Sequence, residues 1–384
     1  MSDLAVIADG AVLIDGELIV EVGPSRRLEN LGIARHARVI DATGKVVLPG
    51  LIDSHSRPFF ELTEDWTAFL GGHSGRRLQG KRPAAPSRSP RSLLAAARQW
   101  TYEMASCGTT TVEIRAEGRP ECAQRELRTV SLLTGDPIDA GGAVSAGLCD
   151  GGGEAEVFRG VVGWAARVAA VYACELPCGA GGLRSQNAKQ LATTARSAGL
   201  RVKLLTGAAP PRSIGALAKE VAALSVDIAG RVDRESVALL GSLETIATLL
   251  PGLSYSMRAE YAPGRGLIDH DGAVCLATAF GPDWCSSLSL PMMMTLACRN
   301  MALTAEEAIT ACTLNAAAAM ARQQTIGSIE PGKRADLAVF SVPDYRLIPY
   351  YFGFNLCAMT IRQGKIIYRG ATAPPAAPTA SRQA

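Results

Sequence analysis

The chain has 384 residues, 48% of them hydrophobic, and a net charge of only +3. That length suits one large domain beside a small one, and no run of 18 or more apolar residues points to a membrane span. The charge is too small to argue for nucleic acid or a membrane surface unless it is concentrated locally.

The first residues carry Asp3, Asp9, Asp15 and Glu17 and lack a basic flank ahead of an apolar stretch, so no targeting segment is expected and the cytoplasm is the expected compartment. The ten cysteines are scattered between Cys107 and Cys357 without a paired framework and read as reduced thiols and small core residues. Cys174 and Cys178 stand too far apart for the usual redox motif.

From Leu4 to Leu48, short apolar runs (Ala11–Ile14, Leu18–Val22, Val39–Ile40, Val46–Leu48) alternate with turn residues such as Asp15-Gly16 and Gly23-Pro24, which predicts a small antiparallel β layer. From about 50 to 325 the rhythm changes. Strand candidates Thr110–Ile114, Val202–Leu205 and Val274–Ala277 alternate with helix-length segments such as Ser92–Ser106 and Gln186–Ser197. This predicts βα units closing into a parallel α/β barrel of the TIM type, (β/α)8. Thr304 with Glu307 forms a capping box, and the stretch to Met320 is rich in helix formers, so one helix is expected there. Ala335–Phe340 and Ala358–Tyr368 return to strand patterns around the turn Gln363-Gly364, so the β layer is shared between both chain ends. Residues 1–49 with 326–370 are therefore expected to form a composite β-sandwich domain, 50–325 the barrel, and 371–384 a disordered tail. His73–Arg91 contains six Lys or Arg and no acid, and predicts a basic loop interrupting the barrel. It has no interleaved aromatics for base stacking, so nucleic acid is disfavoured as a partner.

Val47-Leu48-Pro49-Gly50-Leu51-Ile52-Asp53-Ser54-His55 resembles the strand that leads into the barrel of amidohydrolase-superfamily enzymes. The segments Ser287–Ala297, Ile326–Leu337 and Asp344–Asn355, the last with its Tyr-Arg, Pro-Tyr and Phe-Gly-x-Asn pattern, are similar to imidazolonepropionase. Thr109–Ile114, Leu250–Gly252 and Tyr261–Asp269 match as well. The resemblance implies hydrolysis of a carbon–nitrogen bond in a cyclic amide during histidine breakdown, with zinc or iron activating water. A metal lowers the pKa of its bound water from about 15.7 to roughly 7, but three or more protein ligands must first hold it.

At the positions where the resemblance implies those ligands, this chain differs. The family's His-x-His is His55-Ser56-Arg57, its strand-end histidine is Leu205, the histidine after Asp227 is Ile228, and the aspartate of Ala-Thr-Asp-Phe is Ala279. His55 is thus the one ligand expected to remain, no second cluster is expected among the four histidines, and no metal cofactor is expected. Arg57 adds to this, because a unit charge about 4 Å from a divalent ion repels it by roughly 8 kcal/mol at an effective dielectric of about 20, and arginine keeps its proton. Substrate-contact segments differ too: Phe60–Glu64 replaces Phe-Gly-Gly-x-Arg, and Arg115–Arg119 replaces Lys-Ser-Gly-Tyr-Gly while keeping the positive charge.

His55 reads either as a surviving ligand or base, or as a leftover residue bonded to a neighbour. Arg57 reads as an anion anchor or as the partner of Asp53 or Glu113. Asp283 and Cys285, in the loop after the last barrel strand, are candidates for a rebuilt zinc site with His55. Glu64, Arg115 and Asp227 are further candidate pocket residues, and apolar Leu205, Ile228 and Ala279 suggest a drier barrel mouth. The expected role is a degenerate, non-catalytic relative that binds a small molecule or a paralogous subunit, as a homodimer. The alternative is a divergent hydrolase of a cyclic amide with an unusual metal site.

Overall fold

The computed structural model describes residues 3–59, 89–116, 120–133, 138–145, 154–179, 183, 185–206, 213–281 and 285–370. The basic stretch 73–88 and the tail 371–384 lie outside the described residues, and Arg91 falls in the first turn of the helix Pro90–Ser106.

Eight parallel strands make the centre: β4 (Leu51–Ser56), β5 (Thr109–Ala116), β6 (Asp139–Ser145), β7 (Val171–Cys178), β8 (Arg201–Thr206), β9 (Ser225–Ile228), β10 (Ile246–Leu249) and β11 (Val274–Leu276). They pair in simple sequence order. A bridge between Ser56, at the end of β4, and Phe280, beyond β11, brings the two edges together, so the sheet curls into a nearly closed TIM-type barrel with helices outside. Buried on both faces, the strands read as apolar runs. The main core packs their outward side chains against helices such as Ser185–Ser197, which buries Ala188, Leu191, Ala192 and Ala195.

Two further sheets flank the barrel: β1 (Gly10–Asp15) with β2 (Leu18–Pro24), and a four-stranded sheet in the order β14-β13-β12-β3. In it β3 (Val46–Pro49) lies beside β12 (Leu337–Phe340), followed by β13 (Cys357–Arg362) and β14 (Lys365–Arg369), so strands from both ends of the chain share one sheet. Gln363 and Gly364 both have positive φ, 48° and 72°, as a two-residue hairpin turn requires. Gly50 turns β3 into β4 where a Cβ would sit 2.2 Å from the Thr110 hydroxyl, which accounts for glycine there.

Two local expectations are corrected. Val39–Ile40 forms no strand: no partner strand pairs with it, and Val39 is 86% exposed. The stretch 304–320 is two helices, Ala305–Ala311 and Leu314–Ala319, although the capping box of Thr304 and Glu307 is present. The Cys312 carbonyl accepts from the Ile52 N–H of β4 at 2.9 Å, and that contact with the barrel replaces continuation of the helix. Among the described residues no helix is long and apolar enough to cross a membrane.

Where the sheets meet the barrel, Asp139 accepts from Arg322 and Arg334 at 2.9 and 2.5 Å. Burial raises its pKa, but the two guanidiniums outweigh burial and hold it below 3.8. A group whose folded pKa is depressed contributes stability above its unfolded pKa and loses it as pH falls through the folded value. Asp139→Asn is therefore expected to lower stability at neutral pH and to flatten the loss of stability below about pH 4. Urea titrations of both proteins between pH 3 and 7 check this, and parallel curves for the two would refute it.

Candidate functional site

Charged residues inside apolar barrel strands must point into the barrel or find partners, because an unpaired buried charge is costly. Here they find one another. Glu113 and Arg115 come from β5, Glu175 from β7, Lys203 from β8 and Asp227 from β9, and all five are buried. The Arg115 guanidinium reaches three carboxylates: Nη2 contacts Glu113 at 2.7 Å and Asp227 at 2.5 Å, and Nη1 contacts Glu175. It can span β6 because that strand presents only Gly141, Gly142 and Ala143 at its centre. Lys203 Nζ bonds Glu113 at 2.6 Å and the Ser54 carbonyl at 3.3 Å, and the Tyr172 hydroxyl also donates to Glu113. Two cations thus sit among three carboxylates.

His55 joins through Nδ1, 2.8 Å from Asp227 Oδ2, while Ser225 donates to Asp227 Oδ1 at 2.9 Å. Burial, reinforced by Arg115 and Lys203, pushes the His55 pKa down to about 3, despite the opposing pull of Asp227. Burial raises the Asp227 pKa, but Arg115, Lys203 and the bond from His55 hold it well below the usual carboxylate range. At neutral pH the pair is therefore a neutral imidazole whose Nδ1–H donates to an ionised carboxylate. Nearby, burial raises the Asp53 pKa to about 6, against hydrogen bonds from the Thr278 hydroxyl and N–H at 2.5 and 3.1 Å.

The expectation that His55 stands alone is corrected by this geometry. His55, Glu175 and Asp227 offer ligand atoms within 4.8 Å of one another, a spacing that suits one cation. In the arrangement described, the cation between the two carboxylates is the Arg115 guanidinium. A divalent ion fits these donors only if that side chain withdraws, because both anionic ligands are already bound to it and a unit charge about 4 Å away repels the ion by roughly 8 kcal/mol.

Arg57 takes neither Asp53 nor Glu113 as partner. It lies just beyond the end of β4, and its guanidinium reaches Glu126 of the helix Pro120–Leu133 at 3.1 Å. Leu205 and Ala279 pack in an apolar cluster with Ala229, Leu250 and Cys285, and Ile228 is buried in the main core. These positions have apolar neighbours, but the barrel interior beside them is a dense ion-pair network rather than an apolar plug. Cys285 is not among the described groups able to hold a metal ion, and burial pushes its thiol up to about 11. Glu64 and Asp283 lie outside the described residues.

Glu175 and Lys203 went unrecognised as site residues from the sequence. The available signal was a charge flanked by apolar residues within a strand, Glu175 in Val-Tyr-Ala-Cys-Glu-Leu-Pro-Cys and Lys203 in Arg-Val-Lys-Leu-Leu-Thr. Ala279 has a left-handed φ of 52°, a region where aspartate is enriched several-fold among non-glycine residues.

The amidohydrolase family profile matches residues 211–367. The chain is 34% identical to an imidazolonepropionase of Porphyromonas gingivalis over 94% of its own length and 89% of the relative's, and 31% identical to that of Geobacillus kaustophilus over 96% and 92%. Among solved structures it is similar to a triazine hydrolase from Arthrobacter aurescens, with TM-score 0.72 at 19% identity, covering 94% of this chain and 90% of that one. It is also similar to a zinc-bound adenosine deaminase of Xanthomonas campestris, with TM-score 0.70 at 16% identity over 94% and 88%. At such identities the structural likenesses speak for the fold, while the sequence relatives go further. The chain belongs to the imidazolonepropionase family of amidohydrolases.

Proposed function

We propose that this family member does not run metal-dependent ring opening and acts by binding, either a small molecule at the altered barrel mouth or a paralogous subunit. The observation that supports this is Arg115, whose guanidinium holds both carboxylates that would join His55 around a metal. The family's lysine at this position carries one compact ammonium. A planar guanidinium has five donors in a fixed fork and satisfies several carboxylates at once. With Leu205, Ile228 and Ala279 also unable to coordinate, Glu175 and Asp227 already share the Arg115 guanidinium. A cytoplasmic homodimer is part of the same proposal.

A second reading is favoured by the close approach of His55, Glu175 and Asp227. In it Arg115 withdraws, and the chain is a divergent hydrolase of a carbon–nitrogen bond in a cyclic amide. One experiment separates the two: metal content of the purified protein by elemental mass spectrometry, beside the Porphyromonas gingivalis relative prepared identically. The binding reading expects less than about 0.1 zinc or iron per chain. Near-stoichiometric metal together with turnover of imidazolonepropionate would overturn it in favour of the hydrolase.

A further inference from the structure

At the N-terminal ends of the barrel strands, opposite the mouth, the structure holds a cavity of about 670 Å³. Its volume lies in the range of about 300–1,000 Å³ typical of small-molecule sites. The starts of β6, β7 and β8 build one side, and the segment after the helix Leu314–Ala319 builds the other. The space exists because Ala140 and Gly141 present almost no side chain at the rim of β6.

The lining has two chemistries. Tyr172 and Met320 supply an apolar wall, and the Tyr172 hydroxyl is turned away into the barrel, where it donates to Glu113. Arg201 and Arg322 supply positive charge. Arg201 is exposed and makes no ion pair among the described residues. Arg322 shares Asp139 with Arg334, which also takes Asp336, and Arg362 acts on both aspartates. Among the described residues, the two guanidiniums of the lining meet one carboxylate, Asp139, which Arg334 shares, and this excess of positive charge draws anions.

We propose that this cavity binds a small organic anion, with a carboxylate or phosphate head against Arg201 and Arg322 and an apolar body against Tyr172 and Met320. The site is independent of how the barrel mouth is read, because it lies at the other end of the strands. In TIM barrels that end ordinarily serves stability, so a ligand there makes a distinct function.

Isothermal titration calorimetry on the full chain at low ionic strength tests this with phenyl phosphate and 3-phenylpropionate, using inorganic phosphate as a head-only control. Saturable one-to-one binding of at least one organic probe, tighter than inorganic phosphate, is expected, and the probe that binds identifies the head group. Arg201→Gln is expected to weaken it about tenfold or more, the worth of a hydrogen bond to a charged group. Ala169→Trp, at an exposed lining position, is expected to block it by filling the space. Neither position is in the core, so unchanged thermal midpoints keep both variants interpretable. Failure of both organic probes to saturate, or binding unchanged in both variants, would overturn the proposal.

Discussion

Arg115→Ala is expected to lower unfolding stability by about 3–5 kcal/mol in metal-free buffer, because removing one partner of a buried ionic network leaves charge uncompensated. Arg115 is 3% exposed and contacts Glu113, Glu175 and Asp227, so its removal leaves their charge in a buried setting. Lys203 still neutralises Glu113 at 2.6 Å, which leaves Glu175 and Asp227 as the groups that lose most. Those two flank His55, so the same substitution is expected to convert an internal ion-pair site into an external-cation site. Zinc should then restore about 2.7 kcal/mol at a hundredfold excess over its dissociation constant, whereas the parent protein should show no zinc-dependent gain. Guanidinium denaturation of both proteins with and without zinc measures each effect. A variant as stable as the parent without metal would show that Arg115 does not hold the carboxylates. A variant that loses stability but gains none from zinc would show that His55, Glu175 and Asp227 cannot gather around an ion.

The second large effect concerns the four altered ligand positions. A chain combining Arg57→His, Leu205→His, Ile228→His and Ala279→Asp is expected to be less stable than the parent without metal. Ile228 and Ala279 are fully buried, and each buried polar group without a partner costs about 1–3 kcal/mol. Aspartate at 279 should be tolerated by the backbone, since the φ of 52° is one it adopts more readily than most residues. With zinc or iron, one ion per chain and recovery of stability beyond the parent's are expected, because binding to the folded state alone adds directly to folding free energy. Elemental mass spectrometry and thermal unfolding read the two outcomes. If the folded variant takes up no metal, the strand ends have moved away from a metal-binding geometry, and loss of ligands is not what distinguishes this chain.

The short-range features were legible along the chain. A capping box needs only Thr304 and Glu307, a two-residue hairpin only Gln363 and Gly364, and a helix such as Ser185–Ser197 only its own apolar spacing. These signals span a few residues, so neighbours in sequence carry them. The family was legible for a similar reason: its motifs are local strings such as Val47–His55 and Asp344–Asn355, and the barrel they imply is the one that forms. Even so, long-range contact overrode local preference at Cys312, where β4 takes the carbonyl that a continuous helix would use.

Pairing among buried charges was not legible in this way. Arg115 and Asp227 are 112 residues apart, and nothing near either names the other. Arg57 could be seen to need a carboxylate, but whether Asp53, Glu113 or Glu126 supplied it depended on where the end of β4 points relative to the neighbouring helix. Coulombic and hydrogen-bond energies fall away over a few ångströms, so partners are chosen by proximity in space. The barrel brings five strands to one axis, and only there do Glu113, Glu175 and Asp227 share a single guanidinium. Residue types along the chain were enough to show where it departs from the family's ligand pattern; the closure of the barrel placed the Arg115 guanidinium between Glu175 and Asp227.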